Sequence, residues 1–124
     1  MTKKLLPLIL LPLILAGCAT TFTNLTPLQQ PRNANNLYPV EVALASRQQT
    51  LRWETIQPQV VVGNAVYPMR ATPLMKNRWE ALIPVPAGSG LAHYRYKFDY
   101  EYNALGPHKS NSVSSPVYTL KITP

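Results

Sequence analysis

The sequence predicts an all-β chain, and three observations predict it. Residues 93–102 alternate without a break, with Tyr94, Tyr96, Phe98, Tyr100 and Tyr102 on even positions and His93, Arg95, Lys97, Asp99 and Glu101 on odd ones. A period of two is that of a strand with one dry and one wet face. Turn chemistry recurs at short intervals, at Gly63-Asn64, Pro84–Gly90 and Asn103–Ser115. No segment carries the 3.6-residue apolar period of an amphipathic helix.

Each element follows from its local pattern. Tyr38, Val40, Val42 and Leu44 share one face of a first strand. Leu51, Trp53 and Thr55 alternate likewise, and Ile56, Pro58, Val60 and Val62 continue on the opposite parity. That change of face places a bulge or an edge at Gln57-Pro58. Gly63-Asn64 between Val62 and Ala65 reads as a two-residue hairpin of type II′, because glycine accepts positive φ at the first turn position. Ala65–Met69 returns as a short edge strand, since Pro68 has no N–H to donate. Arg78–Val85 presents Trp79, Ala81 and Ile83 on one face, and Val117–Ile122 closes the fold. Six to seven strands over residues 38–124, with turns at this spacing, give an immunoglobulin-like antiparallel β-sandwich. The chain has 1 Cys, so no disulfide joins the sheets. Trp53, Trp79, Phe98 and the aliphatic positions are expected to form the core. Tyr94 and Tyr96 join them inside, and Tyr100 and Tyr102 stand toward the wet end of their strand.

The N-terminal stretch is of another kind. Lys3 and Lys4 precede an apolar run, Leu5–Leu15, which contains Pro7 and Pro12 and ends at Ala16-Gly17-Cys18. The run is shorter than the ~20 residues that span a bilayer, and its prolines disfavour a core helix. It reads as a secretory signal peptide over residues 1–17. Leu15-Ala16-Gly17-Cys18 resembles the lipobox of bacterial lipoproteins. The resemblance implies cleavage before Cys18, a diacylglycerol thioether on its sulfur and an acylated amino group. Such lipid chains anchor firmly, because each buried methylene contributes about 0.8 kcal/mol. Ala19, rather than the aspartate that retains members of that family at the inner membrane, implies the outer membrane.

Residues 18–37 are rich in Thr, Asn, Gln and Pro and read as a flexible tether between the lipidated Cys18 and the domain. The whole chain carries 12 Lys+Arg and 5 Asp+Glu. The basic residues do not cluster, which with export argues against nucleic acid. The excess instead suits anionic head groups or acidic polymers.

Sites of chemistry are few. Asp99 and Glu101 lie two apart on a strand, but a glycosidase pair needs a cleft and a raised pKa on one carboxyl, and a flat sheet face supplies neither. His93 and His108 are the 2 His of the chain and lack metal-ligand spacing. No cofactor is expected, and no nucleophile is paired with a base. The Asn103–Ser115 stretch is expected as a long loop, with His108 and Lys109 at its tip. Together with Tyr100 and Tyr102 it forms the expected contact surface.

Asn77-Arg78-Trp79-Glu80-Ala81, Ile83–Gly88 and Tyr94–Phe98 resemble glycogen-binding E-set modules. The resemblance implies an immunoglobulin-like architecture and makes Lys97 a sugar contact; the family's later stacking tryptophan is replaced here within Asp99–Ala104. Asn24–Pro27, Pro31-Arg32-Asn33 and Tyr38 are similar to uncharacterised bacterial surface proteins with immunoglobulin-like domains. The expected role is therefore a non-enzymatic, membrane-anchored envelope lipoprotein that presents an immunoglobulin-like domain as a protein-interaction or structural module, with an envelope protein as the expected partner. A glycan is the alternative ligand, through Lys97, Tyr100 and Tyr102.

Cys18→Ser is expected to abolish lipid attachment, leaving uncleaved precursor or soluble protein. Metabolic palmitate labelling measures this directly, and labelling equal to wild type would refute the anchor.

Overall fold

The computed structural model describes residues 20–124, so the expected signal peptide (1–17) and Cys18 lie outside the described residues. Ten strands make two facing sheets: β1 (Thr20–Asn24), β2 (Gln29–Pro31), β3 (Leu37–Ser46), β4 (Leu51–Val62), β5 (Ala65–Pro68), β6 (Arg70–Ala71), β7 (Arg78–Pro84), β8 (Leu91–Tyr102), β9 (Lys109–Ser114) and β10 (Tyr118–Thr123). One sheet runs β1-β3-β7-β6 and the other β2-β10-β8-β4-β5, with β9 also on β8. Neighbours pair antiparallel except β2, which runs parallel to β10. The orders β1-β3-β7-β6 and β10-β8-β4 are those of an immunoglobulin-like sandwich.

The inward faces are those that the alternation marks. Tyr38, Val40, Val42 and Leu44 of β3, Trp79 and Ile83 of β7, and Tyr94, Tyr96 and Phe98 of β8 are all buried. Phe98 takes Phe22 and Trp79 edge-on, with ring centroids 5.2 and 5.1 Å away. Such pairs contribute about 0.5–1.5 kcal/mol beyond burial. The Gly63-Asn64 turn has φ +59° at Gly63 and an ordinary φ at Asn64, as a type II′ hairpin requires.

Trp53 departs from expectation. It is 42% exposed, whereas Trp79 is 8% exposed. The β4–β8 register shifts between Arg52 and Gln57, a few residues before the expected Gln57-Pro58, and this irregularity takes Trp53 out of the core face.

The expected long loop is also corrected. Lys109–Ser114 is β9, paired from Lys97↔Ser114 to Tyr102↔Lys109. Ser and Asn disguise it, because its residues are mostly exposed and only Val113 packs on the core. β9 and β10 occupy the same flank of β8. The register steps by one between Lys97↔Ser114 and Tyr94↔Tyr118, so the Ser115–Val117 segment is a bulge. Buried Ser115 repairs the ladder there. Its N–H donates to the Tyr96 carbonyl (2.9 Å), and its hydroxyl accepts from the Tyr96 N–H (2.8 Å).

A third correction concerns residues 18–37, expected as a tether. From Thr20 onward the described part is folded into both sheets. β1 pairs with β3 from Thr20↔Ser46 to Asn24↔Val42, and β2 pairs with β10. Few of these residues are apolar, so hydropathy hides them; they are held by polar groups that complete buried ladders. The crossing from one sheet to the other falls at Asn24–Leu28. There the Tyr96 hydroxyl donates to Asn24 Oδ1 (2.7 Å) and lies 3.1 Å from both Thr26 Oγ1 and the Glu41 carbonyl. Asn24 Nδ2 donates to the Tyr94 hydroxyl (2.9 Å), and Gln30 Nε2 to the Pro39 carbonyl (2.9 Å). Arg32 ties the opposite end, donating to Asn36 Oδ1 and the Val85 carbonyl (both 3.0 Å) and to the Ser89 carbonyl.

Burial holds the Tyr96 phenol well above its ordinary value of 10.0. Above about pH 10 the unfolded chain releases that proton while the folded chain retains it. The stability is intact below that pH and falls by about 1.4 kcal/mol per pH unit above it. Tyr96→Phe is expected to cost about 1–3 kcal/mol at pH 7, because Asn24 and Thr26 lose a buried partner. It also flattens the alkaline slope by one proton. Urea melts between pH 7 and 11 check both, and an unchanged midpoint at pH 7 would remove Tyr96 from the crossing.

Candidate functional site

The structure distributes the expected contact residues over two faces. Strand parity puts Tyr100 and Tyr102 on the same side of β8 as buried Phe98, and Lys97 on the other. Tyr100 and Tyr102 are half-buried, with rings 6.5 Å apart. Tyr102 faces Leu51 on one side and Lys109 on the other. Asn111 Nδ2 reaches the Tyr100 hydroxyl at 3.4 Å. Lys97 instead lies 3.8 Å from Asp99 on the outer face. A single sugar stacked on the two tyrosines is therefore out of reach of Lys97.

His108 joins a different group. Arg52 Nη1 lies 2.6 Å from His108 Nδ1. A guanidinium only donates, so Nδ1 is the unprotonated nitrogen of the ring. Glu101 Oε1, at 4.0 Å from the same nitrogen, is then no hydrogen-bond partner of it. Arg52 also meets Glu54 (3.1 Å) and Glu101 (3.6 Å). These partners are substantially exposed, and such pairs are each worth about 1 kcal/mol or less.

Beside this group the β4 irregularity opens a shallow polar depression of about 380 Å³, lined by Gln57, Asp99, Glu101, Ser110 and Ser112 among others. Thr55 spans it: its hydroxyl donates to the Arg52 carbonyl (2.6 Å) and accepts from the Glu101 N–H (2.9 Å). Ser112, by hydrogen bonding, holds the Asp99 carboxyl below the usual carboxylate range, with Lys97 and Gln59 acting the same way. A general acid needs the opposite shift. Among the described residues no group of three or more His, Cys, Asp or Glu is placed to hold a metal.

A larger groove of about 780 Å³ crosses β3 and β7, and residue reasoning did not foresee it. Leu25 and Pro27 stand at one end, Tyr67 and Met69 at the other, with Pro39 and Leu82 between. It lies between the two places where the chain changes sheet, at Asn24–Leu28 and at Met69. Its edge is charged, with Arg70 on Glu80 (2.9 Å) and Arg78 on Glu41 (2.8 Å). Leu82 is 56% exposed. One signal could have found it. If Trp79, Ala81 and Ile83 face inward, Leu82 is a large apolar residue on the outward parity of β7, opposite Pro39.

Compared with family models, with curated proteins and with solved structures, the chain matches none.

Thr55→Val keeps the shape of the side chain but leaves the Glu101 N–H without its partner, at a cost of about 1–3 kcal/mol. Hydrogen exchange at the Glu101 amide is expected to speed up while the amide of Tyr96 keeps its protection. An unchanged Glu101 rate would mean that Thr55 does not bridge the bulge.

Proposed function

We propose that the chain is a non-enzymatic envelope lipoprotein, anchored through Cys18 in the outer membrane, which presents its sandwich as a protein-interaction module. The observation that carries the interaction role is the groove over β3 and β7. Apolar Pro39 and Leu82 lie at its centre, with the Arg70–Glu80 and Arg78–Glu41 pairs beside them. An apolar centre within a charged rim is the anatomy of a protein–protein interface. The anchor rests on the Leu15–Cys18 motif and the apolar run before it.

A glycan-binding role is the second reading. It is favoured by the depression at Gln57, Asp99, Glu101, Ser110 and Ser112, whose carboxylates, amide and hydroxyls suit sugar hydroxyls. It no longer calls on Tyr100, Tyr102 and Lys97 together, because they lie on opposite faces.

Leu82→Arg, at an exposed position, is expected to leave the folded domain intact by circular dichroism. It should reduce recovery of the partner when the protein is purified from detergent-solubilised membranes. A partner set unchanged by Leu82→Arg would place the contact elsewhere. Binding on a glycan array that is lost in Gln57→Ala would favour the second reading.

A further inference from the structure

One end of the sandwich gathers three loops and the point where the described chain begins. Thr20 pairs with Ser46, the last residue of β3. The Asn77 carbonyl accepts from the Leu44 N–H (3.0 Å), and the Asn103 N–H donates to the Thr50 carbonyl (2.9 Å). The β3–β4 loop (47–50), the β6–β7 loop (72–77) and the β8–β9 loop (103–108) therefore stand together around Thr20.

These loops combine fully exposed apolar tips with several cations. Leu74 and Leu105 are fully exposed, and Met75 is exposed as well. Leu74 has φ +65°, in a turn closed by the Met75 N–H on the Thr72 carbonyl (3.1 Å). Glycine or asparagine is the usual occupant of that position. A leucine held there against its backbone preference, with its whole side chain in water, does nothing for the core. Arg47 and Lys76 are exposed within the loops, as is Lys109 just after them. None of the three loops contains Asp or Glu. The opposite end, with the Gly63-Asn64 turn and residues 85–90, has exposed Lys121, opposite Leu91, and Arg32, whose guanidinium is bound to backbone carbonyls.

We infer that this end docks on the surface of the bilayer that holds the lipid of Cys18, with Leu74, Met75 and Leu105 entering the interface and Arg47, Lys76 and Lys109 meeting anionic head groups. The inference rests on the lipoprotein reading above. The occupant is set by chain length: Ala19 alone separates Cys18 from Thr20, a span of at most about 7 Å. A cleaved and acylated Cys18 thus brings the Thr20 end of β1 to the membrane with no spacer. The charge of these loops matches that surface, and apolar tips flanked by cations are the composition of an interfacial anchor.

The test uses the acylated protein purified from membranes. Acylation consumes the single native thiol, so Leu74→Cys, Leu105→Cys and Ser89→Cys each offer one site for an environment-sensitive NBD label. Ser89 lies in the turn at the far end. The labelled proteins are reconstituted into vesicles of phosphatidylcholine with phosphatidylglycerol, and into phosphatidylcholine alone. The expected result is an emission blue shift at positions 74 and 105 and none at 89, stronger in the anionic vesicles. Arg47→Gln and Lys76→Gln should each weaken docking about five-fold, from about 1 kcal/mol per cation at an anionic surface. No shift at 74 and 105 in vesicle-bound protein overturns the proposal, as does an equal shift at 89. A shift that arises without vesicles overturns it in favour of self-association. Mass spectrometry of the same samples separates the two readings. An unmodified Cys18 refutes the lipoprotein reading and the docking with it, whereas an acylated Cys18 with unshifted probes refutes the docking alone.

Discussion

The hydroxyl of Tyr96 is the point on which the architecture turns. A sandwich of this kind needs its first strand to serve both sheets, and the chain must leave one sheet and enter the other within a few residues. Over that stretch the backbone has no strand partner on one side. Asn24 and Thr26 turn their side chains inward to compensate, and both find the same phenolic oxygen. The Glu41 carbonyl lies at that oxygen too and also accepts from the Leu25 N–H. A phenylalanine at position 96 would pack as well on the core but leave three polar groups to satisfy one another. The same logic explains why a strand as aromatic as β8 uses tyrosine at 94 and 96 and phenylalanine at 98, where the rings of Phe22 and Trp79 pack edge-on against it.

How far the sequence discloses the fold depends on whether a residue is placed by its apolar period or by its polar groups. β3, β7 and β8 are legible because buried Tyr38, Val42, Trp79 and Tyr96 alternate with solvated neighbours. β9 is not, because an outer strand flanking β8 buries little, and Lys109–Ser114 has the composition of a turn. β1 and β2 are hidden for a related reason: their contribution is hydrogen bonds from Asn24, Thr26 and Gln30, which hydropathy counts as solvent-seeking. Trp53 illustrates the opposite error. Its parity matches Leu51, but parity holds only while the ladder is regular, and the shift between Arg52 and Gln57 breaks it.

The candidate site shows the same division. Tyr100 and Tyr102 stand in partial exposure, as their position on the strand implies, and Lys109 lies opposite Tyr102, yet Lys97 and His108 do not share their surface. Lys97 is three residues from Tyr100, and an odd spacing on a strand is an opposite face. His108 belongs to Arg52, more than fifty residues earlier in the chain. The groove over β3 and β7 depends on two separate changes of sheet leaving the strands between them uncovered. Tertiary arrangement of this kind leaves no local trace beyond an outward leucine.

The parallel pairing of β2 with β10 has a consequence in time. Gln29 meets Lys121, about ninety residues later in the chain, so β2 has no strand partner until the end of the chain is made, although β1 can already meet β3. Topologies dominated by such distant contacts form slowly. For a polypeptide that crosses a membrane in extended form, as the proposed export route requires, this delay is useful. On that route β2 cannot close onto the second sheet before β10 exists, and this part of the chain would stay threadable until both were delivered.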